Sequence, residues 1–237
     1  MEHNIDRRKT IPAIAVFYVI ALLLRYLTNK TALLSGVSNN FVVIILQGAG
    51  PALGAFVALK VFRIKMKMSL KGNFEKLLVP LSVYWLFPAF LIGLVAWFTK
   101  GTFPVIAIFT VLIYGFLEEI GWRGFLQQLL APLPRFISLS IITVLWFVWH
   151  LNFEPNQSSL IFFFILLFGS WGIGLVADKT NSLLAVAAFH SLNNFFTDLN
   201  LQKAVILMVL VIIWILSIIY RHRLEKIGFK SEEITSN

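Results

Sequence analysis

Long apolar stretches separated by short polar connectors dominate this sequence. Eight of them are apparent, at about residues 11–27, 41–62, 77–98, 104–130, 136–152, 159–177, 182–197 and 205–220. Crossing the ~30 Å hydrocarbon core of a bilayer takes ~20 mostly apolar residues in a helix. The sequence therefore predicts an all-α fold, a polytopic membrane bundle of about eight transmembrane helices.

Composition supports a membrane protein and excludes several other classes. Hydrophobic residues make up 59% of the chain and charged residues 13%, whereas soluble domains have about 45–50% and about 25%. The net charge of +9 does not indicate a nucleic-acid partner, because the basic residues flank apolar spans, where they set topology and meet anionic lipid. Cysteine is absent, which excludes disulfides, thiolate catalysis and Cys-ligated metals.

The distribution of Lys and Arg predicts the orientation of the bundle. With eight spans and a cytoplasmic N-terminus, 16 of the 20 basic residues fall on the cytoplasmic side, as the positive-inside rule requires. Both termini are then cytoplasmic. The connectors are too short for a soluble domain, so residues 1–237 form a single membrane-embedded domain. A composition rich in Phe, Ile and Lys favours the cell membrane of a bacterium.

The apolar run from about 103 to 130 contains Glu118, Glu119 and Arg123. Ionised groups inside a membrane cost ~2.5–3.5 kcal/mol each on insertion scales, so they face the bundle interior, pair with one another and mark function. Glu119 and Arg123 are four residues apart, the spacing of an ion pair within one helix. Glu118 is rotated by ~100° from Glu119 and remains for chemistry.

Three further polar residues lie in later spans: His150, His190 and Asn194. A rise of ~1.5 Å per residue places them and Glu118 roughly 12–22 Å from the cytoplasmic face, although the helices alternate in direction. His190 and Asn194 share one helix face, because they are four residues apart. We therefore predict that these polar groups meet near mid-membrane, in a catalytic core of about residues 104–197.

These motifs resemble those of the CPBP intramembrane proteases. That family includes the CAAX prenyl endopeptidases and the bacteriocin-processing and immunity (Abi) proteins. The resemblance covers about residues 114–194 and consists of EExxxR followed by Gly-Phe, a His near the end of the next span, and HxxxN two spans later. In one departure, the family's usual FxxxH motif has Trp146 as its aromatic residue here, and we expect little consequence beyond pocket shape.

The resemblance implies a glutamate-dependent intramembrane endopeptidase. Glu118 would be the general base and would activate a water molecule together with His150. His190 and Asn194 would stabilise the oxyanion of the tetrahedral intermediate. Because a hydrolase needs water at its base, the bundle would admit water from the cytoplasmic side.

The remaining expectations concern the support of the site and its partners. Glu119 and Arg123 would be the structural pair that fixes the first carboxylate. The substrate would be a peptide or the tail of a membrane protein, cleaved near the lipid bilayer, and no cofactor is expected.

Three other readings stay open from the residues alone. A buried glutamate also suits a proton or cation path through a transporter. Glu118, His150 and His190 have side chains that suit zinc, although no HExxH motif is present. A binding or immunity protein of the same family could contain the same polar residues.

Overall fold

The computed structural model describes residues 7–196, 201–213 and 216, and this part of the chain is helical. Its helices are α1 (Arg7–Lys30), α2 (Asn40–Phe62), α3 (Phe74–Leu81), α4 (Phe87–Lys100), α5 (Val105–Glu119), α6 (Gln128–Leu130), α7 (Arg135–Trp149), α8 (Gln157–Thr180), α9 (Leu183–Phe195) and α10 (Leu201–Ile213). Two π-helical segments, Ser82–Leu86 and Ile120–Gln127, join α3 to α4 and α5 to α6, and a short 3-10 turn, Ala32–Leu34, follows α1. The predicted all-α membrane bundle is confirmed.

The helices divide into long and short apolar elements. Five continuous helical stretches in the described ranges, with mean hydropathies of 1.7 to 2.4, are long and apolar enough to cross a membrane. Helix α7 has 15 residues and α9 has 13, so each is about 20 Å long and shorter than the ~30 Å hydrocarbon core. The count of eight crossings and the cytoplasmic termini stay predictions. Thr197, most of 214–220 and the polar tail lie outside the described residues.

Local capping signals set the helix ends. Asn39, Asn156 and Ser182 cap α2, α8 and α9, each accepting a backbone N–H with its side-chain oxygen, which satisfies donors that a helix start leaves free. Helices α2 and α8 end at left-handed residues, Arg63 with φ 54° and Asn181 with φ 52°. These signals are local in sequence, which is why the predicted boundaries of spans two and six lie within a few residues of the observed ends.

Glycines bring the backbones of α1 and α2 into contact. A Cβ atom added at Gly54 would lie 2.4 Å from the carbonyl oxygen of Phe17, and one at Gly50 would lie 2.8 Å from that of Ala21. On the other side of α2, a Cβ at Gly121 would lie 2.7 Å from the carbonyl oxygen of Pro51. Small residues allow such close approach between membrane helices. Helix α2 is thereby packed against both α1 and the π-helical segment after α5.

An aromatic core surrounds that π-helical segment. Trp122 is fully buried and packs edge-on against Phe17 of α1, at 5.5 Å between ring centroids, and against Trp149 of α7, at 6.0 Å. Trp146 lies 6.3 Å from Trp122 in the same cluster. Edge-to-face aromatic pairs stabilise a core beyond the area they bury. The cluster fixes the segment relative to α1 and α7.

The connector between α2 and α3 closes one end of the bundle. Its backbone pairs with the turn between α8 and α9, where Leu183 N donates to Ser69 O at 3.0 Å. The side chain of Gln128 also fixes it, accepting from Lys67 N at 2.7 Å and donating to Lys65 O at 2.8 Å. This basic connector therefore lies directly over the end of the helix that contains the acidic motif.

The approach of α1 to α2 predicts a specific sensitivity to side-chain volume. Gly54→Val should lower the melting temperature in detergent by several degrees, because overpacking costs about 1–3 kcal/mol. Gly36→Ala is the matched control, since a Cβ at Gly36 meets nothing within 4 Å among the described residues. Equal melting temperatures for the two variants would contradict the close packing. Differential scanning fluorimetry measures both.

Candidate active site

The acidic motif lies where the helix changes its hydrogen-bonding pattern. Helix α5 ends at Glu119, and the next eight residues, Ile120–Gln127, form a π-helix. Such segments are rare and occur frequently at functional sites. The sequence predicted a regular helix here, because no local residue pattern distinguishes a π-helical turn. In the structure Gly121 to Leu126 are all buried, so the segment presents its side chains to the interior of the bundle.

Glu118 is a buried carboxylate with a neutral hydrogen-bond donor. It is 1% exposed, and its Oε2 atom accepts a hydrogen bond from the indole Nε1 of Trp146 at 2.8 Å. Tyr114, one helical turn earlier, also interacts with it. Glu118 interacts electrostatically with both His150 and His190. Two imidazoles, an indole and a phenol therefore surround this carboxylate.

Glu119 contacts two side chains, and one of them is the His190 that also interacts with Glu118. Its Oε1 atom lies 2.6 Å from Nδ1 of His190, and its Oε2 atom lies 3.5 Å from Nε of Arg123. The structure therefore contains the ion pair expected from the sequence, but its distance is too long for a strong hydrogen bond. The shorter contact is with His190, which is 71 residues away in sequence. Glu119 thus links α5 to α9.

The hydrogen bond of His150 defines which of its ring nitrogens is protonated. Nδ1 lies 2.8 Å from the carbonyl oxygen of Trp146, one turn earlier in α7. A carbonyl oxygen only accepts, so Nδ1 is the donor, and in the neutral ring Nε2 keeps its lone pair. His150 follows the last residue of α7. Its Nε2 atom is therefore a proton acceptor at the end of that helix.

A glycine gives His190 its place beside the motif helix. His190 is buried, and a Cβ added at Gly115 of α5 would lie 3.2 Å from its Cγ atom. Any larger residue at that position would displace the imidazole. Gly115 thereby leaves room for α9 beside the motif helix.

Asn194 follows His190 by one turn of α9 and is half-buried. It borders an apolar cavity of about 490 Å³ between α2 and α5, whose wall also includes Tyr114, Thr110 and Ile44. Glu118, His150 and His190 each lie beside the indole of Trp146. Asn194 lies at the adjoining edge of the apolar cavity.

Trp146 contacts Glu118, His150 and His190, which the sequence did not predict. Besides its bond to Glu118, its ring centroid lies 5.4 Å from that of His190 and 6.0 Å from that of His150. The guanidinium carbon of Arg123 lies 5.5 Å from the indole ring, within the range of a cation–π contact. The sequence had assigned this residue only an effect on pocket shape, yet its N–H makes a hydrogen bond that phenylalanine cannot make.

Sequence reasoning also missed Arg25, which lies in α1 near the end of the first predicted span. Its guanidinium carbon lies 4.4 Å from the ring centroid of Trp149. Its Nη1 atom donates to the carbonyl oxygen of Gln47 at 3.2 Å and to the hydroxyl of Tyr114 at 3.4 Å. Arg25 thereby orients the phenol that interacts with Glu118. The available signal was a lone cation inside an apolar run.

A second cavity, of about 390 Å³, lies on the other side of the site. Its wall includes several charged and polar residues beside apolar ones, among them Lys67, Arg123, Gln127, Arg135 and Asp178. Arg123 is 1% exposed, and its three guanidinium nitrogens have no hydrogen-bond partner among the residues described. The candidate site thus lies between a polar cavity beside the basic connector and an apolar cavity beside Asn194.

Metal binding was an open alternative for three of these residues. In residues 7–196 and 201–213, no three His, Asp or Glu side chains are arranged to hold a metal ion. Glu118, His150 and His190 therefore do not form a ready zinc site in this geometry. The absence of a cofactor stays a prediction.

Comparison with known proteins agrees with the motifs. Residues 99–196 match the family model described as type II CAAX prenyl endopeptidase Rce1-like. This match confirms the resemblance to the CPBP intramembrane proteases, and it supports a protease of the CAAX type. No curated protein matches the chain. With its apolar helices, the chain is a multi-pass membrane protein.

The buried position of Arg123 predicts a large effect on stability. Arg123→Ala should destabilise the protein by about 3 kcal/mol, because it leaves the carboxylate of Glu119 without its cation. The matched control is Arg135→Ala, which removes a pair with Asp178 whose two side chains are 44% and 45% exposed. Surface pairs contribute about 0–1 kcal/mol. Thermal unfolding and yield in detergent measure the difference, and equal stability of both variants would disprove a structural role of Arg123.

Proposed function

We propose that the protein is an intramembrane peptidase that hydrolyses a peptide bond near the membrane with a glutamate-activated water molecule. One observation supports this proposal above the others. The buried carboxylate of Glu118 accepts a hydrogen bond from the neutral indole of Trp146, contacts the phenol of Tyr114 and interacts with two imidazoles. A carboxylate in such surroundings, in a segment that matches a protease family, suits the role of general base.

In the first step, Glu118 takes a proton from a water molecule that lies between it and His150. The Nε2 lone pair of His150 accepts the second hydrogen bond of that water, because Nδ1 is already donated to the carbonyl of Trp146. The water oxygen then attacks the carbonyl carbon of the scissile peptide bond. Two acceptors aligned on one water provide the orientation on which general-base catalysis depends.

In the same step a negative charge develops on the carbonyl oxygen, and His190 and Asn194 donate to it. Because Nδ1 of His190 is bound to Glu119 at 2.6 Å, only Nε2 is left for the oxyanion, and it donates when the ring is an imidazolium. The carboxylate of Glu119 balances that charge. Oxyanion donors of this kind contribute about 3–4 kcal/mol each in other enzymes.

Collapse of the tetrahedral intermediate completes the reaction. The protonated Glu118 returns its proton to the leaving nitrogen, and the C–N bond breaks to give an acid and an amine. The general base therefore ends the cycle in its starting state, as acid–base catalysis requires. No other group has to gain or lose a proton.

The two cavities suit the two reactants. Water reaches the site from the polar cavity beside Arg123 and the basic connector, which the charge distribution assigns to the cytoplasmic side. The apolar cavity beside Asn194 takes an apolar part of the substrate, such as the prenyl group named in the family description. The substrate is then a peptide or membrane-protein tail, and the setting is the cell membrane of a bacterium.

Replacing the proposed base tests this function. Glu118→Gln keeps the shape of the side chain but cannot take a proton, so cleavage should fall by about 10²–10⁴-fold with little change in melting temperature. Glu154→Gln, at an exposed position, is the matched control and should retain activity. Cleavage of a fluorogenic lipopeptide in proteoliposomes is the measurement. Full activity of Glu118→Gln would refute the assignment, whereas a protein that acts by binding alone would keep its function.

Metal independence is tested separately. Because Glu118 and His150 together activate the water, saturating chelator should leave the cleavage rate unchanged. The measurement compares initial rates with and without 1,10-phenanthroline, followed by added zinc. Loss of turnover that zinc restores would show that a metal-bound hydroxide is the nucleophile.

A further inference from the structure

We propose that Trp146 is a positioning residue for the catalytic carboxylate, and this inference rests on the proposed function. Its indole N–H holds Oε2 of Glu118, so that Oε1 is the oxygen that takes the proton from water. The hydrogen bond spans 28 residues in sequence and joins α7 to α5. Trp146 touches neither the water nor the peptide, and it acts through the orientation of Glu118.

The geometry of the bond supports a specific function. The distance from Nε1 to Oε2 is 2.8 Å, and Trp146 and Glu118 are 3% and 1% exposed. Hydrogen bonds to ionised groups are stronger than those between neutral groups, and a low local dielectric strengthens them further. Without this donor, the carboxylate of Glu118 would turn about its last bond, and both oxygens would compete for the water.

The indole is itself held firmly. Its ring packs against those of His190 and Trp122, at 5.4 and 6.3 Å between centroids, and Arg123 lies over its face. The contact of His150 is with the backbone carbonyl of residue 146, which every amino acid provides. Only the bond to Glu118 depends on the indole nitrogen, so replacement by phenylalanine removes that bond and keeps an aromatic ring.

Two other tryptophans provide matched controls. Trp122 is fully buried in the same aromatic cluster, but its Nε1 has no hydrogen-bond partner in the described part of the chain. Trp149 is equally buried and donates to the carbonyl oxygen of Ala21 at 3.0 Å. Trp146→Phe therefore removes the hydrogen bond to the proposed base. Trp122→Phe removes no hydrogen bond seen in the described part of the chain, and Trp149→Phe removes a structural hydrogen bond between two helices.

Steady-state cleavage of the same lipopeptide separates these cases. Trp146→Phe should lower kcat by about 10–100-fold, the effect of losing one hydrogen bond to a charged group, with KM within twofold. Trp122→Phe should keep kcat within threefold despite its lost volume. Trp149→Phe should lower the melting temperature and leave kcat nearly unchanged. If kcat of Trp146→Phe stays within threefold of kcat of Trp122→Phe, the inference is wrong.

A spectroscopic test does not depend on activity. The chain has seven tryptophans, whose indole N–H groups give separate resonances in a spectrum of ¹⁵N-labelled protein. Glu118→Leu removes the acceptor, so one indole resonance should move far more than the other six, and it should be the one missing in Trp146→Phe. Glu154→Gln should move none of them. A spectrum of Glu118→Leu without such a shift would overturn the inference.

The two sets of variants distinguish failure of the inference from failure of the proposed function. If Glu118→Gln is inactive and Trp146→Phe is fully active, Glu118 remains the base and the positioning role fails. If Glu118→Gln is active, the proposed function fails, whatever the spectrum shows of the hydrogen bond.

Discussion

The pairing of buried charge constrains this structure more than any other interaction. Glu118, Glu119 and Arg123 are at most 1% exposed. The desolvation free energy of an isolated charge in an apolar interior is larger than the net stability of a fold. The contacts of Glu119 with His190 and Arg123 offset part of this desolvation cost. His190 is in α9, whereas Glu119 and Arg123 are in α5 and the π-helical segment after it. The contacts that neutralise charge therefore also join α9 to the motif helix.

Charge pairing in turn requires small residues at defined places. His190 reaches Glu119 because Gly115 leaves room for its ring, and the segment after Glu119 packs against α2 because Gly121 leaves room for the carbonyl of Pro51. Without the hydrophobic effect between helices in lipid, such close packing is a main source of association energy. The glycines therefore set the geometry of the site although none of them reacts.

The sequence predicted the helices and the set of polar residues, because both signals are local. Apolar length defines a span, and a charge inside it must face the interior. It did not predict the π-helical segment after Glu119, which has no residue pattern of its own. Nor did it predict that Glu119 binds His190 or that Trp146 binds Glu118, because those contacts depend on how α5 crosses α9 and α7. The predicted catalytic roles and the eight crossings remain for experiment.

The two adjacent carboxylates of the motif have different partners in the structure. Glu119 contacts the guanidinium of Arg123 and the imidazole of His190, and these contacts hold it between two helices. Glu118 is held instead by the indole of Trp146, a neutral donor that fixes its direction and adds no positive charge. An arginine or lysine at position 146 would instead add a cation to this buried site. The neutral indole therefore fixes the carboxylate of Glu118 without adding a charge to the apolar interior.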